Sequence, residues 1–210
     1  MLKLKKEKQS ARLFPVKISV SVAVILFLSG SLAAAQTKSP KRGICGDASP
    51  ADLATLAPFV TWYYDWGVEP PSVSQGLLSG IEWVPMAWNA PADISDFESK
   101  IPAGSLYLLG YNEPNFKSQA NMTPAQAAAA WPDLEAVAAT KGLKLVSPAV
   151  NWCGDCVDGV TNDPVDWLDK FFAACPGCKV DYIAIHSYAP GSEALRNYLT
   201  KFKKYNKPLW

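Results

Sequence analysis

Histidine is almost missing from this chain: His186 is the only one in 210 residues. A metal centre needs several imidazoles, thiolates or carboxylates converging on one point. Neither a second histidine nor a convergent acid cluster accompanies His186, so no metal is expected. No glycine-rich G-x-G-x-x-G loop follows any apolar run, which argues against a dinucleotide; no cofactor of any kind is expected. Low-complexity tracts and self-similarity at a period of roughly 20–50 residues are absent too, so a repeat architecture is excluded. What is left is enough chain for one sizeable core and one domain.

Only one long apolar run exists, Ile18 to Gly30. It follows a basic stretch with Lys3, Lys5, Lys6, Lys8, Arg12 and Lys17 against Glu7, and precedes the small-residue exit "SLAAAQ". Ala33 and Ala35 fit the A-x-A cleavage rule, with Gln36 as the new first residue. Residues 1–35 therefore read as a secretory signal peptide, 36–41 as a short linker and 42–210 as the folded domain. The length of the basic region makes an uncleaved signal anchor the alternative. No cysteine follows the apolar run, which argues against a lipoprotein anchor, and no second run is long enough to span a bilayer. A secreted, extracellular domain with no membrane contact after cleavage is expected, in association with a cell wall or free, and as a monomer.

An excess of positive charge is lacking as well. The chain totals +1, and residues 1–35 hold six bases and one acid, so the remainder stands at −4. A mildly acidic secreted domain is a poor partner for nucleic acid or anionic membrane. Aromatics are plentiful in the same part: eight Trp and eight Tyr, all after residue 60.

Short apolar runs alternate with helix-like segments. Strands are predicted at Arg42–Cys45, Phe59–Tyr64, Ile81–Trp88, Ser105–Tyr111, Leu143–Val150 and Val180–Tyr188, and "KPLW" at the end starts a seventh. Pro85 argues against a regular third strand. Ser49-Pro50-Ala51-Asp52 reads as N-cap, N1 proline and acidic first turn. Thr123-Pro124-Ala125-Gln126 is a capping box opening an alanine-rich helix to Thr140, closed by Gly142. Pro132 inside it is expected to kink or split the helix. A helix from Pro164 to Cys175 and an amphipathic segment from Ser192 to Tyr205 follow.

Strand and helix in alternation mean parallel βα units, an α/β fold. A doubly wound open sheet and a (β/α)8 barrel compete. Nearly every strand ends in aromatic or polar residues: Tyr64, Asp65 and Trp66; Trp88 and Asn89; Asn112 and Glu113; Asn151 and Trp152; His186 and Tyr188. Barrel active sites are assembled from several strands at their C-terminal ends, so a TIM-type barrel is favoured, incomplete at the C-terminus with six to seven strands present. Within it, "YLLGYNEPNF" (Tyr107–Phe116) runs as a buried strand and stops on a carboxylate, Glu113.

The segments "RGIC", "WYYDW", "WVPMAW", "LLGYNEPN", "NMTPAQAAAAWP", "LVSPAV", "WLDKFF", "CKVDYIAIHSY" and "KPLW" resemble, in this order, the alkali-sensitive-linkage-type glycosyl hydrolases of glycoside hydrolase family 128. That family belongs to the clan of (β/α)8 retaining glycosidases. The resemblance runs from about Lys41 to Trp210 and implies hydrolysis of β-1,3-glucan, chiefly endo-acting. Retaining glycosidases pair two carboxyl groups about 5–5.5 Å apart, one as acid/base and one as nucleophile. The resemblance gives the acid/base role to Glu113 and a sugar 2-hydroxyl contact to Asn112. It expects the nucleophile in a hydrophobic-Thr-Glu sequence just beyond Pro208-Leu209-Trp210, so the chain reads as truncated before that residue. None of the internal acids substitutes convincingly: Glu82 enters its strand at the wrong end, Glu193 lies beyond strand six, and Asp65 ends strand two without a matching role. A non-hydrolytic wall-binding protein that kept the cleft is the alternative.

His186 and Tyr188 are expected in the cleft, the histidine binding substrate or orienting a carboxylate. Trp66, Trp88 and Trp152 at strand ends, with Asn89, are expected to bind sugar, and Trp62 to sit in the core. The cysteines leave two readings. Cys153-x2-Cys156 and Cys175-x2-Cys178 match zinc-ribbon spacing, whereas secretion favours disulfides. On the barrel reading the first pair lies at the top and the second after a helix of about 11 residues, roughly 16 Å long. A disulfide tolerates Cα separations of about 7 Å at most. Two local bridges, Cys153–Cys156 and Cys175–Cys178, are therefore expected. Cys45 is left over, either a buried free thiol or the partner of a residue beyond Trp210.

Overall fold

The computed structural model describes residues 38–72 and 80–210. The expected signal segment and the first linker residues lie outside them. Five short strands are present: β1 Gly43–Cys45, β2 Trp62–Tyr64, β3 Glu82–Trp83, β4 Tyr107–Leu109 and β5 Lys144–Val146. All pair in parallel, in the order β1-β2-β3 and β4-β5. Past Pro85 the chain joins the two groups: Met86 bridges Leu109 in parallel, and Leu109 N–H donates to Pro85 O at 2.9 Å. Beyond β5, Tyr182 bridges Val146 and Leu209 bridges Ile183, again in parallel. Seven segments thus follow one another in sequence order across one parallel arrangement, the α/β pattern read from the sequence.

The expected sixth and seventh strands are not regular strands but isolated bridges; the seventh is joined to the sixth by backbone bonds, Ile183 N–H to Pro208 O and Trp210 N–H to Ile183 O, whereas between the sixth and β5 side chains take part. Leu145 N–H donates to the Asp181 carboxylate rather than to a backbone carbonyl (2.9 Å), and Ala184 N–H donates to Ser147 Oγ (2.9 Å). Side-chain acceptors take the places a ladder would use. The other predicted strands are also shorter than read, trimmed to two or three residues each.

The pleat sorts the core. Trp62, Tyr64, Val84, Met86, Tyr107, Leu109, Val146, Tyr182, Ala184 and Trp210 pack together on the inner side. The alternate residues face the helices: Tyr63 and Trp83 toward α1 (Pro50–Leu56), and Leu108, Leu145 and Ile183 toward α3 (Pro124–Lys141) and α4 (Pro164–Ala174). That alternation is what a period of two requires of a strand covered on both faces.

The helices begin where their caps dictate. Ser49 and Asp52 form a capping box at α1, Thr123 and Gln126 another at α3, and Asp163 caps α4, each with proline in the first turn. α3 ends at Gly142 in the left-handed region, φ 71°. It is not split at Pro132. Pro132 is exposed, while Trp131 and Leu134 beside it are buried in one core, and that packing holds both halves in register. A helix absent from the sequence reading, α2 (Ile94–Lys100), is capped by Asp93, whose carboxylate accepts from Ser95 and Asp96 N–H. The amphipathic tail forms α5 (Ser192–Lys201) and a 3-10 turn (Phe202–Tyr205).

Both C-x-x-C pairs are bridged internally, Cys153–Cys156 and Cys175–Cys178, each with Cα atoms 5.3 Å apart. No cluster of His, Cys, Asp or Glu suited to a metal occurs among the described residues. Cys45 is free, and it is not buried as one reading had it: it is exposed at the end of β1.

Candidate active site

The C-terminal ends of the segments meet at a cleft of about 360 Å³. β1 contributes Cys45, β2 Tyr64 and Trp66, and the chain after β3 Trp88. β4 brings Asn112 and Glu113, and the sixth segment brings His186 and Tyr188. The Glu113 side chain is only 13% exposed, and its Oε1 lies 2.9 Å from His186 Nδ1. One proton suffices to bridge the two, so the imidazole fixes the orientation of the carboxyl group.

The backbone that presents Glu113 is unusual. Its φ is +39°, in the left-handed region that a side-chain-bearing residue enters at a cost of about 1–3 kcal/mol. Hydrogen bonds hold it there from both sides. Asn112 N–H donates to Trp88 O (2.9 Å) and Glu113 N–H to Ala149 O (2.8 Å). Trp66, at φ +67°, is the second such residue on the cleft wall.

Asn112 is buried, and its amide is half used. Nδ2 donates to Gln119 Oε1 at 2.9 Å, while Oδ1 has no partner among the described residues. Gln119 thereby sets which end of the amide is free, and that end is an acceptor beside Glu113. Tyr64, on the cleft floor, has its phenol pushed well above its ordinary value by burial and by its hydrogen bond with Cys45. The Cys45 thiol is raised as well: although the residue is exposed as a whole, its sulfur is partly desolvated against the cleft wall, the bond to Tyr64 offsetting part of this. Glu113 is the sole carboxylate among the described residues lining the cleft.

The acids weighed in the sequence lie elsewhere. Asp65 accepts from Gly67 N–H at 3.1 Å in its own turn, and burial raises its carboxyl. Glu82 packs at the opposite end of its strand, by Trp62 and Tyr107. Asn89 is exposed and lines no part of the cleft. Trp152 borders a neighbouring groove instead. Sequence reasoning missed Cys45 and Gln119 as cleft residues and, although it noted Tyr64 at a strand end, gave it no role there; the strand-end rule covers Cys45, which closes β1.

The cleft thus gathers a carboxyl group on a strained turn at the end of a parallel strand, a histidine paired with it and a free amide oxygen beside it. The chain belongs to the family described as the glycosyl hydrolase catalytic core, which matches residues 45–210. The solved structures it resembles are of glycoside hydrolase family 128. The chain is 31% identical over 156 residues to alkali-sensitive linkage protein 1 of Schizosaccharomyces pombe; this match covers 72% of the chain and 26% of that protein. The chain thus spans about a quarter of that curated relative's length. Among solved structures, it is similar to an endo-β-1,3-glucanase of Pseudomonas viridiflava, with 40% identity and TM-score 0.74 over 83% of this chain and 70% of that one. A second endo-β-1,3-glucanase, from Sorangium cellulosum, gives 42% identity and TM-score 0.66 over 79% and 72%. A third, from Amycolatopsis mediterranei and in complex with laminaritriose, gives 31% identity and TM-score 0.63 over 82% and 70%.

Proposed function

We propose that this is a secreted, retaining endo-β-1,3-glucanase domain in which Glu113 is the acid/base. The observation that carries the reading is the Glu113 constellation: a nearly buried carboxyl 2.9 Å from His186, beside the unpartnered Oδ1 of Asn112. In the first step Glu113 gives its proton to the glycosidic oxygen as the bond to the anomeric carbon breaks. A second carboxylate attacks that carbon from the opposite face and forms the glycosyl ester. In the second step Glu113, now a carboxylate, takes a proton from the water that opens the ester. Asn112 Oδ1 accepts from the sugar 2-hydroxyl during both steps. His186 keeps the Glu113 carboxyl aimed at the oxygen. Trp66, Trp88 and Tyr188 provide faces on which the apolar sides of glucosyl rings stack.

The second carboxylate is the residue that the family resemblance puts in a hydrophobic-Thr-Glu sequence after Pro208-Leu209-Trp210. Completion of a (β/α)8 barrel from the seven segments belongs to the same proposal. Because Glu113 is the sole carboxylate among the described cleft residues, a second reading has support: a glucan-binding domain without turnover.

One pair of substrates tests the acid role of Glu113. In a chain carrying the second carboxylate, Glu113→Gln is expected to lower the rate on β-1,3-glucan by about 10²–10⁴, the usual worth of proton transfer to a leaving group. Glycosylation by an aryl glucoside with an activated leaving group should lose far less. Equal losses on both substrates would remove Glu113 from the acid role. The 210-residue chain should bind glucan without turnover. Hydrolysis by it at an ordinary enzymatic rate would mean that a nucleophile lies within it, and Asp65 would be the first acid to replace.

A further inference from the structure

The register between β5 and the sixth segment slips by one residue just below the cleft. Val146 bridges Tyr182 and Val150 bridges Ile185, so four steps on the β5 side answer three on the other. The extra residue lies within Ser147-Pro148-Ala149 and makes a β-bulge in a parallel pair. Pro148 has no N–H to give to a ladder, which suits it to such a position. Ser147 closes the bulge. Its N–H donates to Tyr182 O at 2.9 Å, as in an ordinary ladder. Its backbone carbonyl takes no backbone bond among the described residues. The hydroxyl stands in for it, accepting from Ala184 N–H at 2.9 Å and donating to Pro148 O at 3.0 Å. We infer that Ser147 is a positioning residue: its buried hydroxyl holds the bulge open and so sets the level at which His186 meets Glu113. The inference rests on the acid/base reading of Glu113 and adds a residue that lies outside the cleft.

The residues beyond the bulge hold both members of the pair. Ala149 O takes Glu113 N–H at 2.8 Å, and Val150 O takes His186 N–H at 3.4 Å. Residues 147–150 are thus a spacer with the glutamate on one side and the histidine on the other. Ala184, two residues before His186, is where the hydroxyl grips the sixth segment. Without that grip the natural acceptor for Ala184 N–H is the Ser147 carbonyl, and reaching it closes the bulge. One residue along a strand is about 3.3 Å. Even part of such a step exceeds what the 2.9 Å contact between Glu113 Oε1 and His186 Nδ1 can absorb.

His186 is the sole histidine of the chain, so isotope-labelled histidine gives imidazole nitrogen signals in the full chain that need no assignment. Glu113→Gln should move them, which establishes the pair in solution. Ser147→Ala should move them toward their Glu113→Gln positions. Ser147→Thr keeps the hydroxyl and adds a methyl beside a cavity of about 170 Å³ that Ser147 lines; it should restore the wild-type positions. Asp181→Ala is the control. It removes the other side-chain acceptor between the two segments, that of Leu145 N–H, at the end away from His186. Like Ser147→Ala it should lower Tm by roughly 2–12 °C, but with the imidazole signals unmoved. Ser147→Cys, close in size and only a weak acceptor, reads the same contact if Ser147→Ala is too unstable, and should move the signals in the same sense. Wild-type signals in Ser147→Ala or Ser147→Cys, or an equal movement in Asp181→Ala, would overturn the positioning role and leave the acid reading standing. Signals unmoved by Glu113→Gln would take away the pair that carries the acid reading, and this inference with it.

Discussion

Gly110→Ala is the sharpest probe of how the β-strands set the site. Gly110 sits between β4 and Asn112, and its φ is not in the left-handed region, so backbone strain is not the issue. Space is the issue. A methyl added there would lie 2.8 Å from Val146 O, 3.0 Å from the Ser147 carbonyl carbon and 3.0 Å from Trp131 Cη2. Unstrained carbon contacts need about 3.5–4.0 Å. Two of the three neighbours are backbone, so no rotamer change relieves the clash, and the two segments must part. Parting them stretches the 3.0 Å bond from Gly110 N–H to Val146 O. Overpacking costs about 1–3 kcal/mol and the weakened bond about 1 more. Reduced freedom of the unfolded alanine chain returns about 0.4–1. A net loss of about 1–3.5 kcal/mol corresponds to a fall in Tm of roughly 2–14 °C for a domain of this size. Thermal melts followed by circular dichroism would measure it. Gly177→Ala is the control, because a methyl there meets nothing within 4 Å and Tm should stay level or rise slightly. Trp131→Phe added to Gly110→Ala should not rescue it, since the backbone contacts persist. A Gly110→Ala protein that melts with the wild type, or a rescue by Trp131→Phe, would refute this account of the packing.

Alkaline pH supplies another test. Burial foremost holds the phenols of Tyr64, Tyr111 and Tyr198 above the ordinary value. Below about pH 10 both folded and unfolded chains keep these protons and nothing is lost; above it the unfolded chain ionises first, so stability falls with rising pH, by up to about 1.4 kcal/mol per pH unit for each tyrosine. Phenolate absorbance from these three in the still-folded protein near pH 10 would contradict this. Asn115 is fully buried, its Nδ2 donating to Asn151 O at 2.6 Å while its backbone carbonyl accepts from Val157 N–H at 2.9 Å. Asn115→Ala strands the Asn151 carbonyl and should cost about 1–3 kcal/mol with faster amide exchange across 151–162; unchanged exchange there would mean that Asn115 does not hold the Trp152 loop.

The parts of the fold that were legible in the sequence are those with local causes. Ser49 with Asp52 and Thr123 with Gln126 announce their helices because both halves of each capping box are three residues apart. The place of Glu113 and His186 at the cleft was legible because both close apolar runs at the C-terminal ends of strand segments. The misses have equally definite origins. α2 is seven residues long and buries none of them fully, so it carries almost no periodic signal. Asn89 was placed in the cleft by the strand-end rule. Its neighbour Trp88 takes the bond from Asn112, and the chain then leaves the surface, so the next residue faces solvent. Gln119 could not be read from pattern at all. Its role depends on a turn that returns Ala120 N–H to Asn112 O (3.2 Å) and so brings an amide back against a neighbour seven positions away.

That turn also bears on why a glutamate tolerates φ +39° where glycine would be at ease. The following residue is Pro114, which discourages the right-handed helical region at Glu113. The strands then close off the extended alternative. A straight continuation of β4 would carry the chain past the ends of β3 and β5. Instead, Trp88 O and Ala149 O each capture one N–H of the Asn112-Glu113 pair. On the far side, Phe116 N–H returns to Glu113 O at 3.0 Å and Met122 N–H to Pro114 O at 2.7 Å. Four backbone bonds of about 0.5–1.5 kcal/mol each outweigh a strain of about 1–3 kcal/mol. The conformation therefore persists without help from a ligand. The carboxyl it turns toward His186 is held in place before any ligand arrives, which, on the acid/base reading proposed above, is the condition under which a proton donor loses least to reorganisation.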